Sequence, residues 1–430
     1  MTPDPIALPV VPRPGLGQRL NGLRKRMSWK QAFTALRHRN YRLWFWGQIV
    51  SLFGTWMQAT ALGFLVFDLT KSPAYLGLVG FVTGIPTWLF MLYAGVIADR
   101  MPRRRLLVLT QTAMMLLAFA ITALTFLHWI QPWHILVMAF LLGTANAFDA
   151  PARQSFILEM VDREDMTNAI ALNSAMFNTA MAVGPAAGGL IYGFLGPAWC
   201  FLINGATFIA VIVALKRMTL PPFVPPAVRT SVLADLKAGL KYVAAHPLIR
   251  TIIGLIGTIS LFGISFVTLF PAWAVNILHG DARTNGFLQS ARGAGALTAA
   301  LIIASLGRFH FRGKLLTLGT FALPLSVALF GLVRWEPLAF VLAFGSGLSH
   351  ILIFNLANAL VQTASPDGLR GRIMGVYTMT FFGLMPLGAL GIGFTAEHIG
   401  QTSAVLIGAG VTFGAAAALA VFMPHLRRQP

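Results

Sequence analysis

Gly95-Val-Ile-Ala-Asp99-Arg100-Met-Pro102-Arg103-Arg104-Arg105 lies between two long apolar runs, roughly residues 76–97 and 106–128. A run of about twenty apolar residues crosses a bilayer as a helix. The quoted stretch therefore reads as a tight hairpin between two membrane spans. It holds one acid and four arginines in a chain where only 10% of residues are charged. Charge at a membrane surface fixes topology, and it also ties helix ends together.

Outward from the hairpin, the rest of the chain has the same character. Hydrophobic residues make up 57% of it, whereas a soluble domain is about a quarter charged. The net charge of +19 belongs to basic residues that flank apolar runs. Topology accounts for them, and a nucleic-acid partner is not expected. The one cysteine, Cys200, sits inside an apolar run. That excludes a disulfide framework and a cysteine metal cluster, and neither a metal nor a cofactor is expected. The Pro-rich start has no positive region followed by an apolar core, so it does not read as a cleavable signal peptide.

The fold class expected is all-α and membrane-integral. Twelve spans are placed near 43–67, 76–98, 105–128, 133–149, 168–195, 198–216, 248–277, 285–307, 314–333, 337–360, 371–396 and 402–423. An even number puts both termini on one side. That side then holds 28 of the 32 Lys and Arg residues. Lys71, Arg283 and Arg334 fall opposite, and Arg292 falls within a span. The basic side is cytoplasmic by the positive-inside rule. The domains follow: a basic N-terminal segment (1–42), a six-helix bundle (43–216), a Pro-rich then helical linker (217–247), a second six-helix bundle (248–423) and a tail (424–430). Residues 16–42 interleave basic and apolar side chains, as either a surface helix on anionic lipid or a solvated tail does. The halves repeat weakly. Gly184-Pro185-Ala-Ala-Gly188-Gly189 in span five corresponds to Met385-Pro386-Leu-Gly388-Ala389 in span eleven. Repeated bundles with a site between them are one transporter architecture.

Polar residues inside spans are costly against lipid and mark candidate pathways. Gln48, Ser51, Thr55 and Gln58 recur at spacings of 3, 4 and 3, which is one helix face. They serve either a pathway or interhelical hydrogen bonding. Asn178 in span five and Asn355 in span ten are further candidates. Arg292 either meets an anionic substrate or snorkels outward. His350 is the best internal titratable group. Asp149 and Arg153 flank Pro151 at the inner end of span four and read as a cytoplasmic gate pair. No span contains a central Asp or Glu. No Walker loop, H-E-x-x-H or G-x-S-x-G is present, so neither an ATP-driven pump nor a common hydrolase is expected, and the chain is not read as an enzyme.

The hairpin order G-x-x-x-D-R-x-(G/P)-R-(R/K) resembles the loop 2–3 signature of the major facilitator superfamily, with Pro102 where that pattern usually has Gly. The resemblance implies a cytoplasmic gate at Gly95, Asp99, Arg100, Arg103 and Arg104 that pins the bundles together in the outward-open state. Topology alone explains the arginines but not Asp99. Gly184, Pro185, Gly188 and Gly189 resemble the span-five motif of exporters in that superfamily, with Ala171 and Ala180 in place of outlying glycines. They equally suit a plain kink and packing motif. Arg37-His38-Arg39-Asn40-Tyr41-Arg42 with Gly47-Gln48, and Asn146-Ala-Phe-Asp149-Ala-Pro151-Ala-Arg153-Gln154, are similar to the enterobactin-exporter-like, transmembrane secretion effector branch. Membership implies a monomeric secondary transporter in the bacterial inner membrane. It would export a small amphipathic compound, a siderophore or drug, in exchange for protons by alternating access. An importer using the same mechanism, or a non-transporting scaffold or sensor that kept the fold, are the competing readings.

Overall fold

The structure, a computed structural model, describes residues 33–220, 232–306 and 311–423. The basic segment through residue 32, the Pro-rich start of the linker, residues 307–310 of the second-half hairpin and the tail lie outside these residues, as does the Asp99 side chain. The helices are α1 (Arg39–Thr70), α2 (Pro73–Arg100), α3 (Arg103–Phe126), α4 (Pro132–Phe156), α5 (Met166–Leu195), α6 (Pro197–Lys216), α7 (Val232–Ala245), α8 (Pro247–Thr258), α9 (Phe270–Asn276), α10 (Ala282–Leu306), α11 (Arg312–Leu332), α12 (Glu336–Ala364), α13 (Arg370–Ile399) and α14 (Gln401–Phe422). No strand occurs among the described residues.

Proline starts many of these helices. It occupies the first turn of α2, α4, α6, α8, α9 and α12, where its missing N–H is not needed. Gly196 (φ 93°) and Gly400 (φ 87°) make the turns α5–α6 and α13–α14, a matched pair in the two halves. The outer faces stay apolar, with Phe194, Leu318, Val421 and Phe422 exposed. Trp129, Trp133, Trp199 and Trp335 are exposed at the end opposite the hairpin, as an interfacial aromatic belt requires. Eleven stretches among the described residues are long and apolar enough to cross a membrane. They do not include α5, whose 30 residues carry Asn168, Asn173, Ser174 and Asn178.

The expected seventh span, 248–277, is not one continuous helix. After α8 the backbone makes a π-turn (Ile259–Gly263) and a 3-10 segment (Ser265–Leu269) before α9. Gly388 of α13 sits against the Leu261 backbone there, and the Ser265 hydroxyl donates to the Leu261 carbonyl. A neighbour's close approach and a side chain bonded into the ladder are ordinary causes of such breaks.

The first six helices pack in the order α2–α4–α3–α6–α1–α5. The second set repeats that circuit as α10–α12–α11–α14–α8/α9–α13. The two pseudo-symmetric bundles are joined chiefly by α5 on α10 and α2 on α13. Both crossings are glycine-lined. A Cβ at Gly293 would lie 2.3 Å from the Met181 carbonyl oxygen, the acceptor that Pro185 leaves without its helical donor, and one at Gly286 would lie 2.6 Å from the Pro185 oxygen. Gly77 lies equally close to Ala389, and Gly393 to Pro73. These contacts fall in the half of the molecule away from the hairpin. Toward the hairpin end, a Cβ at Gly95 of α2 or at Gly371 or Gly375 of α13 would meet nothing within 4 Å. The bundles therefore meet at the far end and part toward the basic end.

Candidate functional site

Met101 and Pro102 turn the chain between α2 and α3, and two of the three arginines that follow are held locally. Arg103 pairs with Glu159 just beyond α4. Arg104 donates to the carbonyls of Lys216 (2.8 Å) and Met218 (3.1 Å), which the end of α6 leaves without helical partners. Arg100 is exposed. None of these partners belongs to the second bundle. Among the described residues, these hairpin arginines make no hydrogen bond or ion pair with the second bundle. Beside the hairpin, Asp165 accepts from His38 Nε2 (2.7 Å) and pairs with Arg37 (2.9 Å). The His38 hydrogen bond, helped by Thr34 and Arg37, outweighs burial and holds the Asp165 carboxyl below its ordinary range. Tyr41 donates to the Ala169 carbonyl (2.8 Å) alongside.

The polar face of α1 opens onto a cavity of about 240 Å³. Gln48, Ser51 and Thr55 line it with Gln111 of α3, Asn146, Asp149 and Arg153 of α4, and the aromatic pair Trp56 and Phe177. Helix α4 runs on through Pro151 to Phe156, so Asp149 lies two turns inside it. Asp149 is 1% exposed. One of its oxygens accepts from Thr110 Oγ1 (2.8 Å) and Gln111 Nε2 (2.9 Å). The other lies 3.5 Å from Arg153 Nε. The sequence placed Asp149 at a helix end; the structure gives it a buried wall of the cavity. Gln111 and Thr110 escaped notice because the uncharged polar residues of α3 before Thr122 are the consecutive Thr110, Gln111 and Thr112, which form no repeat at spacings of three and four.

Other candidates stand elsewhere. Gln58 accepts from Asn204 Nδ2 of α6 (2.7 Å) and so joins helices rather than lining the cavity. Asn178 caps its own helix turn on the Ser174 carbonyl (2.7 Å). Asn355 is half-buried in α12. His350 is buried, stacked on Phe381 at 5.9 Å, with no partner for Nε2. Arg292 is half-buried in α10, and its backbone packs against Gly347 of α12. No group of residues suited to a metal ion occurs among those described.

The span-five motif is two-sided. Gly184 takes the Trp56 Cβ and the Phe53 carbonyl of α1, and Gly188 takes the Met57 backbone, both within the first bundle. Gly189 and the Pro185 carbonyl take Gly286 of α10, across the bundles. Ala186 N–H donates to Ser290 of α10 (2.8 Å). In the second half Gly388 faces Leu261 within its bundle, and Pro386 faces Gly84 of α2 across.

A sequence model of the family described as transmembrane secretion effector matches residues 30–429. The enterobactin exporter EntS of Escherichia coli O1:K1 / APEC is 28% identical over 362 residues, covering 82% of this chain and 84% of the relative. EntS of Shigella boydii serotype 18 is 29% identical over the same shares. The solved nucleoside transporter NupG superposes with a TM-score of 0.68 at 19% identity, over 90% of this chain and 99% of its own. That last likeness is one of fold.

Proposed function

Because the chain belongs to the transmembrane secretion effector family of major facilitator transporters, we propose that it is a proton-coupled exporter of a small amphipathic compound, working by alternating access. The bundles 43–216 and 248–423 rock about the glycine-lined crossings. Twelve spans place both termini in the cytoplasm, with the protein monomeric in the bacterial inner membrane. The observation that carries this reading is the pairing of a closed far end with a polar cavity on the first bundle and parted basic ends. That is the inward-facing member of a two-state cycle. The enterobactin relative makes a siderophore the first compound to try. The hairpin at 95–105 acts as the cytoplasmic gate: closing the basic ends would bring Gly95, Asp99 and Arg100 toward α13 and open the far end. The local pairing of Arg103 and Arg104 supports a gate that is disengaged in this state.

The test uses inside-out membrane vesicles with an acid interior. Enterobactin should accumulate in them, and a protonophore should abolish the accumulation. Asp99→Asn should slow it by about tenfold or more. Accumulation only in right-side-out vesicles would favour an importer. No movement of enterobactin or hydrophobic drugs in either orientation, with folded protein, would overturn the transport reading in favour of a scaffold.

A further inference from the structure

Arg292 is a cation inside a membrane span with no acid set against it. At 1.5 Å per residue it stands about 15 Å along α10 from Ala282 and about 21 Å from Leu306, near the middle of a hydrocarbon core about 30 Å thick. The exposed apolar residues Phe287 and Leu301 mark the lipid face of α10. At 3.6 residues per turn Arg292 points about 140° and about 180° away from them, so it does not snorkel along lipid. The flanks of the helix are taken, with Gly293 against Met181 of α5 and Gly295 against Phe344 of α12. The face left between them carries Gln289 and Arg292. Gln289 accepts from Thr60 of α1 at 3.4 Å, a contact between the bundles. Arg292 follows one turn nearer the end where the bundles part. It is half-buried. It makes no hydrogen bond or ion pair among the described residues, and none of its guanidinium nitrogens is sealed from accessible space.

The elements packed chiefly on α10 are α1, α5, α9 and α12. Only α1 and α12 bring acids, and both acids are spent at the far end: Asp68 pairs with Lys71 at 2.7 Å, and Glu336 accepts from Thr284 at 2.8 Å. His350 of α12 stacks on Phe381 and brings no negative charge. Asp149 of the opposite bundle already has Arg153 beside it. The other basic residues of these four helices, Arg39 and Arg42, stand at the basic end of α1. A lone cation at this depth is costly, and water in the parted gap offsets that cost only while the gap is open. We propose that Arg292 binds the anionic group of the compound carried, a carboxylate-type oxyanion with a single charge, between the bundles near the bilayer midplane. One guanidinium fork matches one carboxylate, by two parallel hydrogen bonds. The proposal rests on the transporter reading and adds the charge of the group recognised.

The experiment measures thermal stabilisation of the purified full-length protein, in phosphatidylcholine nanodiscs at pH 7, by 2-naphthoate, 2-naphthamide and 2-naphthylmethylamine. These probes share one ring system and differ in charge. Naphthoate should raise the melting temperature saturably, and naphthamide should need about tenfold more ligand or fail to act. In Arg292→Gln and Arg292→Met the two should come within about threefold of each other. Removing an unpaired cation leaves no buried partner stranded, so both variants should fold. Failure of both to fold would show that the cation is structural and would overturn the proposal. Arg283→Gln is the control for general attraction of anions to a chain of net charge +19. Arg283 is paired with Asp281 at the far end, and its variant should keep the preference for naphthoate. Equal action of acid and amide, stabilisation by the amine alone, no stabilisation, a preference that survives Arg292→Gln, or one that Arg283→Gln abolishes would each overturn the proposal. The readout needs no transport. If enterobactin fails to accumulate in vesicles while the probes discriminate through Arg292, the export reading falls and the anion site stands; the reverse outcome does the opposite.

Discussion

Asp165 straps the segment before α1 to the start of α5, accepting from His38 and pairing with Arg37. Its carboxyl is held below the ordinary 3.8, first by the His38 hydrogen bond. A group with a depressed folded pKa contributes stability that is fully present above its unfolded value and is lost as pH falls through the folded one. Asp165→Asn should therefore melt below wild type at pH 7, with the gap constant down to about pH 4 and closing below it. Melting curves across that range check this; a gap that persists at pH 2.5 would mean the carboxylate charge is not the cause. The polar residues teach a related lesson. Gln48, Ser51 and Thr55 were legible because a helix brings positions three and four apart onto one face, and the structure puts all three on the cavity. Gln58 obeys the same spacing but is consumed by Asn204. Spacing reveals a face, while the neighbour that meets it is decided by tertiary packing. Gln111 left no periodic signal, so its place beside Asp149 emerged only from the packing of α3 on α4.

Helix α5 is where a short motif controls an entire crossing. Pro185 frees the Met181 carbonyl, and Gly293 of α10 lies against it. Without side chains at Gly189, Gly286 and Gly293 the two backbones approach closely enough for Cα–H···O contacts. A Cβ at Gly286 would sit 2.6 Å from the Pro185 oxygen and 2.9 Å from the Gly189 Cα. Backbone cannot yield as a flexible side chain does. Gly286→Val should cost this far-end-closed state about 1–3 kcal/mol, shifting a two-state equilibrium roughly 5–150-fold toward the state with the far end open. Spin-label distances between the far ends of α5 and α10 should lengthen. Unchanged distances in a folded variant would show that the crossing does not set the balance. The motif was visible in the sequence, but its two-sidedness was not, because alternate glycines on one helix point to different neighbours. The break between α8 and α9 was equally hidden. Ile259, Leu261, Phe262 and Ile264 read as one more apolar run, and the interruption arises where α13 presses Gly388 against Leu261.

For the whole molecule the question is whether the far-end contacts are a rigid seam or one side of a cycle. The all-α, membrane-integral fold was legible because bilayer thickness imposes length and composition on every span. Which ends touch was not, since span length and composition say nothing of how the two bundles meet. The far end carries a specific latch between the bundles. Glu397 of α13 accepts from Ser72 Oγ (2.9 Å) and from the Ala74 N–H (3.2 Å), so a carboxylate of one bundle caps the N-terminus of α2 in the other. A seam would keep this contact always, whereas a rocking transporter must break it once per cycle. Thr55→Cys, on the exposed edge of the cavity, should then react with an impermeant maleimide from both sides of the membrane. The native Cys200 is fully buried and does not interfere. Joining Ser72→Cys to Glu397→Cys with a short reducible crosslinker should abolish enterobactin accumulation in the vesicles, and reductant should restore it. The same crosslinker between Thr284→Cys and Glu336→Cys is the control. Those side chains are hydrogen-bonded at 2.8 Å inside one bundle, so that link should leave transport within about twofold of wild type. Equal loss from both crosslinks would point to damage rather than arrest. Full activity with the far end tied would show that the bundles do not part there, and alternating access through this seam would have to be given up.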